Sequence, residues 1–198
     1  MTDINLDINS EDNVLIDSFK NGNRNAFNLL VRKYQKRIYM VIRKMVLDHD
    51  DADDITQEVF IKLYRSIVDF RGDSKFFTYL YKIAVNYSLN HLNRNKKILP
   101  RKSEFDEKLE DHSYTNASGA DEIIDEKDRS VVLRKAIESL PEQQRAVFVM
   151  RYYDNLSYEE ISKILNKSVG GMKANYFHAL KKIGTCLKNN KLFESLNS

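Results

Sequence analysis

Apolar residues recur along this chain at spacings of three and four, and nowhere alternate in the period-two pattern of a half-buried strand. The strongest stripe is Phe27, Leu30, Val31, Tyr34, Ile38, Val41, Ile42 and Met45, which predicts a helix from about Arg24 to Leu47. A shorter helix over 11–20, with Val14, Leu15 and Phe19 apolar, precedes it and is stopped by Asn21, Gly22 and Asn23. Ile55, Val59, Leu63 and Ile67 share one face of a third helix over 52–67, with the acidic run Asp48–Asp51 at its positive end. After a loop at 69–73, Ser74 is placed to cap a fourth helix running to Lys97, with Phe77, Leu80, Ile83, Ala84, Tyr87 and Leu92 mostly inward.

The period then lapses. Residues 98–128 hold Pro100, a polar acid-rich stretch and the run Asn116, Ala117, Ser118, Gly119, the composition of a flexible acidic linker. Helical spacing resumes over 129–139 and restarts at Leu140, Pro141 and Glu142 toward Tyr152. Ser157 with Glu160 forms a capping box for a short helix carrying Ile161, Ile164 and Leu165. Asn166 stands where the chain must turn sharply, in a conformation asparagine tolerates. Ser168 can cap the next helix, which has Met172, Tyr176, Ala179, Leu180 and Ile183 on one side and Lys173, Asn175, His178, Lys181 and Lys182 on the other. A short helix, a turn and a basic second helix suit a major groove, although a helical hairpin with a solvated lysine face has the same pattern. The expected fold is all-α, with small helical domains at 11–97 and 129–190, an acidic flexible linker at 98–128 and a C-terminal helix-turn-helix.

Composition narrows the function. The chain has 198 residues, 42% hydrophobic, with a net charge of +3. Two mildly basic blocks flank the acidic one, as suits two DNA-contacting parts joined by a segment that DNA repels. No run approaches the ~20 apolar residues of a membrane span, and the acidic, polar start is unlike a signal peptide. A single cysteine, Cys186, excludes an intramolecular disulfide and a cysteine-based zinc site, so a reducing cytoplasm is expected. The acid-rich stretch Asp48–Asp54 contains His49 and could suggest a metal hydrolase, but the calcium-loop spacing and its glycine are missing. His91, His112 and His178 lie in no zinc pattern. With neither a glycine-rich phosphate loop nor a nucleophile elbow, no catalytic residue, metal or cofactor is expected.

Residues 70–97 interleave Phe70, Phe76, Phe77, Tyr79, Tyr81 and Tyr87 with Arg71, Lys75, Lys82, Arg94, Lys96 and Lys97. Rings and cations together suit unpaired bases, which stack at ~1–3 kcal/mol each. Asn86 and Asn90, one turn apart, can address base edges. Phe77, Leu80 and Ile83 read as core, whereas Tyr79, Lys82, Asn86 and Asn90 read as nucleic-acid contacts.

The wording of three segments carries a resemblance. Residues 53–65, DDITQEVFIKLYR, and 70–86, FRGDSKFFTYLYKIAVN, resemble the second conserved region of bacterial sigma factors, and residues 137–161, IESLPEQQRAVFVMRYYDNLSYEEI, resemble the fourth. A small chain with only these two regions is similar to the extracytoplasmic-function group. That resemblance implies a transcription initiation factor that binds core RNA polymerase, places two domains on two promoter elements and helps to open the duplex. It implies that Asp53, Asp54, Gln57 and Glu58, with Phe60 and Leu63 as apolar anchors, meet a basic coiled coil of the large catalytic subunit. It implies that the loop 69–74, with Phe70 and Arg71, holds a base flipped from the minus-ten element, beside Lys75, Tyr79, Lys82, Asn86, Asn90 and Arg94. Lys173, Asn175, Tyr176, His178 and Lys181 would read the minus-thirty-five element, Gly170 and Gly171 would let the helix end approach phosphate, and Arg145 would add a phosphate contact.

Some positions depart from the family's pattern. Tyr79 stands where tryptophan is frequent, and Asn175 and His178 stand where arginine is common. Asparagine pairs best with adenine and arginine with guanine, so the resemblance does not fix the promoter preference at these positions. Ser162 and Asn166 replace the small alanine and turn glycine of many helix-turn-helices. The implied partners are bacterial RNA polymerase core and promoter DNA; an anti-sigma factor restrains many relatives, though no residue here points to one. An ordinary helix-turn-helix regulator, binding an operator alone, would leave the acids of 53–58 and the aromatics of 70–87 without a role.

Overall fold

Leu30, Ile38 and Ile42, from the strongest stripe, are fully buried, and three further helices pack around that face. The computed structural model of the protein describes residues 6–98 and 130–188. Its helices are α1 (Asp12–Lys20), α2 (Arg24–Val46), α3 (His49–Ser66), α4 (Phe76–Ile98), α5 (130–138), α6 (Glu142–Phe148), α7 (Tyr158–Leu165) and α8 (Val169–Lys188). A 3₁₀ turn, Ile67–Asp69, follows α3, and a π-helical turn, Val149–Tyr153, extends α6. Among the described residues there is no strand. Apart from Ile98, the expected linker lies outside the described residues.

Polar caps, rather than the apolar stripes, set several helix boundaries. The Asn23 side chain accepts from the Asn25 amide and starts α2 after Gly22, whose φ of 96° reverses the chain. Asp48 accepts from the Asp51 amide, so α3 begins at His49, a turn earlier than its stripe suggests. Leu47 ends α2 in the left-handed region with φ 65°. At α4 the amides of Thr78 and Tyr79 return to the Lys75 carbonyl, so the helix starts beyond Ser74. The capping box of Ser157 and Glu160, the left-handed Asn166 with φ 53° and the Ser168 hydroxyl facing the Gly171 amide at 3.2 Å shape the helix-turn-helix as its residues suggest.

Two cores follow the order of the chain. The first joins α1 to α4 through Leu15, Leu30, Val59, Leu63 and Leu80. The second joins α5, α6 and α8 through Ala136, Ile137, Leu140, Phe148, Ala179 and Ile183. A further cluster runs between the halves. Val41 and Met45 of α2 and Tyr81, Val85 and Leu89 of α4 pack with Val147, Met150, Ile161, Ile164 and Met172. Nothing in the local periodicity marks this seam, because each of its stripes serves equally as the inner face of its own half.

Candidate nucleic-acid and polymerase interface

Helix α3 displays its acids at the end where the macrodipole favours them. Asp53, Asp54, Gln57 and Glu58 are all exposed, and Asp53 lies 3.7 Å from the His49 ring. Phe60 and Leu63 do not share that surface. Both are buried in the first core, so the expected apolar anchors are structural side chains. Ile61, Tyr64 and Val68 supply exposed apolar surface instead, Ile61 and Val68 at 53% exposure. They continue from Gln57 at spacings of four, three and four, which places them along one side of the helix and its 3₁₀ extension. Tyr64 is steadied by edge contacts with Phe19 and Phe27 at 5.3 and 5.0 Å between ring centroids. The signal for Ile61 and Val68 was this spacing from Gln57; the inward stripe drew attention to the wrong neighbours.

The loop before α4 is anchored by Phe70. Its ring is buried, 5.8 Å from that of Phe76 and 5.1 Å from that of Tyr79, and its carbonyl accepts from Lys20 Nζ at 2.7 Å. Phe70 therefore holds the loop in place and presents no open ring. Arg71 and Lys75 are exposed around Gly72, whose φ is 80°. Tyr79 is half-buried, and its hydroxyl donates to Ser66 Oγ at 2.9 Å. Beside the loop lies an open cleft of about 470 Å³, lined by Asp12, Tyr34, Gly72, Lys75, Phe76 and Phe77 among others. Burial, reinforced by the hydrogen bond to Asp12 at 2.6 Å, raises the Tyr34 pKa, so this wall of the cleft keeps a neutral phenol. Farther along α4, Lys82, Asn86, Asn90 and Arg94 are all exposed at spacings of four, a cationic and amide-bearing track along one flank of the helix.

Helix α8 sorts its candidates in an unexpected way. Lys173, His178 and Lys181 are exposed. Tyr176 leans inward, its ring 6.2 Å from Phe148 and 6.1 Å from Tyr158. Asn175 is half-buried and donates through Nδ2 to the Gly171 carbonyl at 2.9 Å, so its amide lies along its own helix. A Cβ on Gly171 would stand 3.1 Å from Ser168 Oγ, so the glycine leaves room for the cap that starts the helix. Leu180, expected inward, is 43% exposed, because Ala179 takes the inward position. Phe177, absent from the expected set, is 64% exposed between the lysines. An aromatic ring left in water on a basic helix was the available signal, and the apolar-inside rule hid it.

Arg145 is the clearest displacement from expectation. It is 7% exposed, and its guanidinium donates to the carbonyls of Met45 at 3.1 Å, Glu138 at 2.5 Å and Leu140 at 3.4 Å. Burial lowers its pKa, with Glu138 and Glu142 opposing the shift. Both terminal nitrogens donate inside the protein, away from any phosphate-facing surface, and Nε is buried without a hydrogen-bond partner.

Among the described residues, no group of three or more His, Cys, Asp or Glu side chains is arranged to hold a metal, and no helix is long and apolar enough to cross a membrane.

Comparison with known proteins covers both halves. Residues 30–98 match the Sigma-70 region 2 family and residues 130–183 match Sigma-70, region 4. The RNA polymerase sigma-H factor of Pseudomonas aeruginosa is 34% identical over 185 residues, covering 90% of this chain and 94% of that protein. The ECF RNA polymerase sigma-E factor of Escherichia coli K12 is 38% identical over 179 residues, covering 87% and 92%. Two solved structures share the fold. CnrH in complex with the cytosolic domain of CnrY has a TM-score of 0.62 at 21% identity, over 91% of this chain and 99% of that one. The sigma factor RpoE in complex with the anti-sigma factor NepR from Bartonella quintana has a TM-score of 0.64 at 19% identity, over 83% and 98%.

Proposed function

Since the chain belongs to the extracytoplasmic-function sigma factors of RNA polymerase, we propose specific tasks for its exposed surfaces. The protein is a non-enzymatic transcription initiation factor that binds RNA polymerase and directs it to promoters. Within that role, residues 11–97 form the unit that docks on core and handles the minus-ten element, and residues 129–190 the unit that reads the minus-thirty-five element. Asp53, Asp54, Gln57 and Glu58 steer α3 onto a basic surface of the polymerase, and Ile61 and Val68 add the apolar contact that Phe60, being buried, leaves to them.

The observation that carries the DNA reading is the exposed track Lys82, Asn86, Asn90 and Arg94 on α4, the helix whose first residues, Phe76 and Phe77, line the open cleft. Cations there neutralise phosphates while the amides address bases, and the cleft offers a bounded place for a base leaving the stack. On α8, Lys173, His178 and Lys181 face DNA with Phe177 among them, whose ring suits a thymine methyl. An anti-sigma factor, of the kind bound to the Bartonella quintana protein, is proposed as a partner, and the cytoplasm as the compartment.

The test is open-complex formation. The protein is mixed with bacterial core polymerase and DNA from upstream of its own gene, and unpaired thymines are probed with permanganate. Core-dependent reactivity at a fixed upstream position is expected, and it should fall when Asn86 and Lys82 are both replaced by alanine. Tight specific binding without core, and no melting with it, would instead indicate a free-standing regulator.

A further inference from the structure

A second open cleft, of about 290 Å³, lies at the carbonyl end of α2, and none of its lining residues belongs to the surfaces assigned to DNA or polymerase. Arg43 and Lys44 from the last turn of α2 and Arg134 from α5 supply its charge. Leu47, Leu133, Ile137 and Tyr153 make the rest of the lining mostly apolar. An apolar concavity with a few convergent polar groups is the usual form of a small-molecule site.

The cations there exceed their partners. Among the described residues, only Lys44 of the three has an acidic partner, Asp154 at 3.3 Å. Helix α2 carries seven Lys and Arg and no Asp or Glu, so its own helix offers Arg43 no neutralising charge. Arg134 donates to the Leu47 carbonyl, which uses one of the five N–H groups of its guanidinium. Both guanidinium forks therefore keep donors suited to an oxyanion. The carbonyl end of a helix favours cations, which accounts for Arg43 and Lys44 but not for the apolar cleft beside them. Leu47 shapes that cleft from an uncommon backbone conformation, with φ 65°. The turn lays its side chain on the core that contains Ala136 and Ile137, while its carbonyl meets Arg134. A sparsely populated conformation held by surrounding contacts is frequent at ligand sites. Burial, with Tyr152 beside it, raises the Tyr153 pKa, so the ring lines the cleft as a neutral phenol that does not repel an anion.

We propose that this cleft binds a small organic phosphate, a monoester whose head pairs with Arg43 and Arg134 and whose apolar body lies on Leu133, Ile137 and Tyr153. Charge selects the headgroup. Three cations less the charge of Asp154 leave two positive charges, which match a phosphate monoester near neutral pH, whereas a carboxylate supplies one negative charge. The site is completed by α2 on one side and by α5 and the π-helical turn on the other, so a bound phosphate ties these elements together. It is a site for an effector, separate from the promoter and polymerase surfaces.

The experiment titrates phenyl phosphate into the full chain at neutral pH and low salt and follows the backbone amide resonances. Phenol, benzoate and inorganic phosphate are titrated in parallel. Saturable shifts are expected at Leu47, Leu133 and Arg134, with a Kd below about 1 mM, within reach of a ligand of roughly ten heavy atoms. The three partial ligands should each bind at least about 10-fold more weakly. Arg43→Gln and Arg134→Gln should each weaken phenyl phosphate about 10-fold, the scale of a hydrogen bond to a charged group. Lys36→Gln, which removes an exposed cation from the same helix outside the cleft, should leave the affinity unchanged. Arg43 is half-buried and Arg134 exposed, and glutamine keeps an N–H donor at each position, so both variants should unfold like the parent in urea. Shifts confined to α4 or α8 would overturn the proposal, because they would show phosphate on the DNA-facing cations instead. Equal affinity for inorganic and phenyl phosphate, tighter binding of benzoate, or parental affinity in both arginine variants would overturn it as well.

Discussion

Arg145 Nη1 lies 3.1 Å from the backbone carbonyl of Met45, a hundred positions earlier in the chain. That carbonyl belongs to the last turn of α2, where no helical amide remains to satisfy it. The same guanidinium serves Glu138 and Leu140, at the junction of α5 and α6. Arg145→Ala would strip three carbonyls of a charged donor, and the expected cost is about 2–4 kcal/mol in urea unfolding. Arg145→Lys should recover only part of this, because one ammonium cannot match the spread of the guanidinium fork. DNA affinity per folded molecule should stay unchanged; a loss of affinity at unchanged stability would return Arg145 to the phosphate-contact role.

On α3, neighbouring apolar residues should behave in opposite ways. Phe60→Ala removes a core ring, with an expected loss of about 3–5 kcal/mol of stability. Ile61→Glu alters a side chain that is 53% exposed, so stability should move by less than ~0.5 kcal/mol. Its affinity for core polymerase should nevertheless drop at least about 10-fold, the scale of a well-packed interface contact. A titration of each variant with core, beside its unfolding curve, separates the two effects.

Phe177→Ala should leave unfolding nearly unchanged while weakening binding to the minus-thirty-five element by about 1–3 kcal/mol. The loss should be concentrated where a thymine methyl meets the ring, so uracil in place of that thymine should mimic the variant. By contrast, Lys181→Ala should weaken all sequences evenly and reduce the salt slope by about 1. Fluorescence anisotropy of holoenzyme on promoter DNA at several salt concentrations reads both.

Burial first, and then the charge of Asp154, raise the Tyr81 pKa well above its ordinary value of 10.0. The folded protein thus holds this proton more tightly than the unfolded chain does. The resulting stability is fully present below pH 10 and is lost as pH rises beyond it. Between pH 10 and 11 the parent chain should lose about 1 kcal/mol more than Tyr81→Phe, which has no proton to release. Burial also raises the pKa of Tyr34, Tyr153 and Tyr176, and the paired comparison cancels their effect. Equal alkaline losses in the two proteins would show that Tyr81 ionises as freely in the folded state as in the unfolded chain.

Local chemistry was legible wherever partners lie within a few residues. The reciprocal bonds of Ser157 and Glu160, the left-handed turn at Asn166 and the Ser168 cap are visible as residue types at set spacings, and the structure forms each of them. Helix starts were less legible where an acidic cap such as Asp48 extends a helix ahead of its apolar stripe. Candidate surfaces were legible in kind but not in detail. The acids of α3 and the amides of α4 stand exposed, yet Phe60 and Phe70 are buried beside Ile61 and Arg71, which are not. Adjacent helical positions differ by about 100° in direction, so a composition that suits binding does not say which neighbour faces out.

Helical content, the positions of the turns and the segments that carry charge and rings can be read along the chain, because they depend on short-range periodicity and local hydrogen bonds; the resemblance to a family rests instead on the wording of residues 53–65, 70–86 and 137–161. The inward turn of Arg145, the bond from Asn175 to Gly171 and the meeting of Tyr81 with Asp154 across the seam joining the halves emerge with the packed fold. Those outcomes depend on which stripe finds which partner, and an apolar stripe reads the same in one dimension whether it covers its own half or the other.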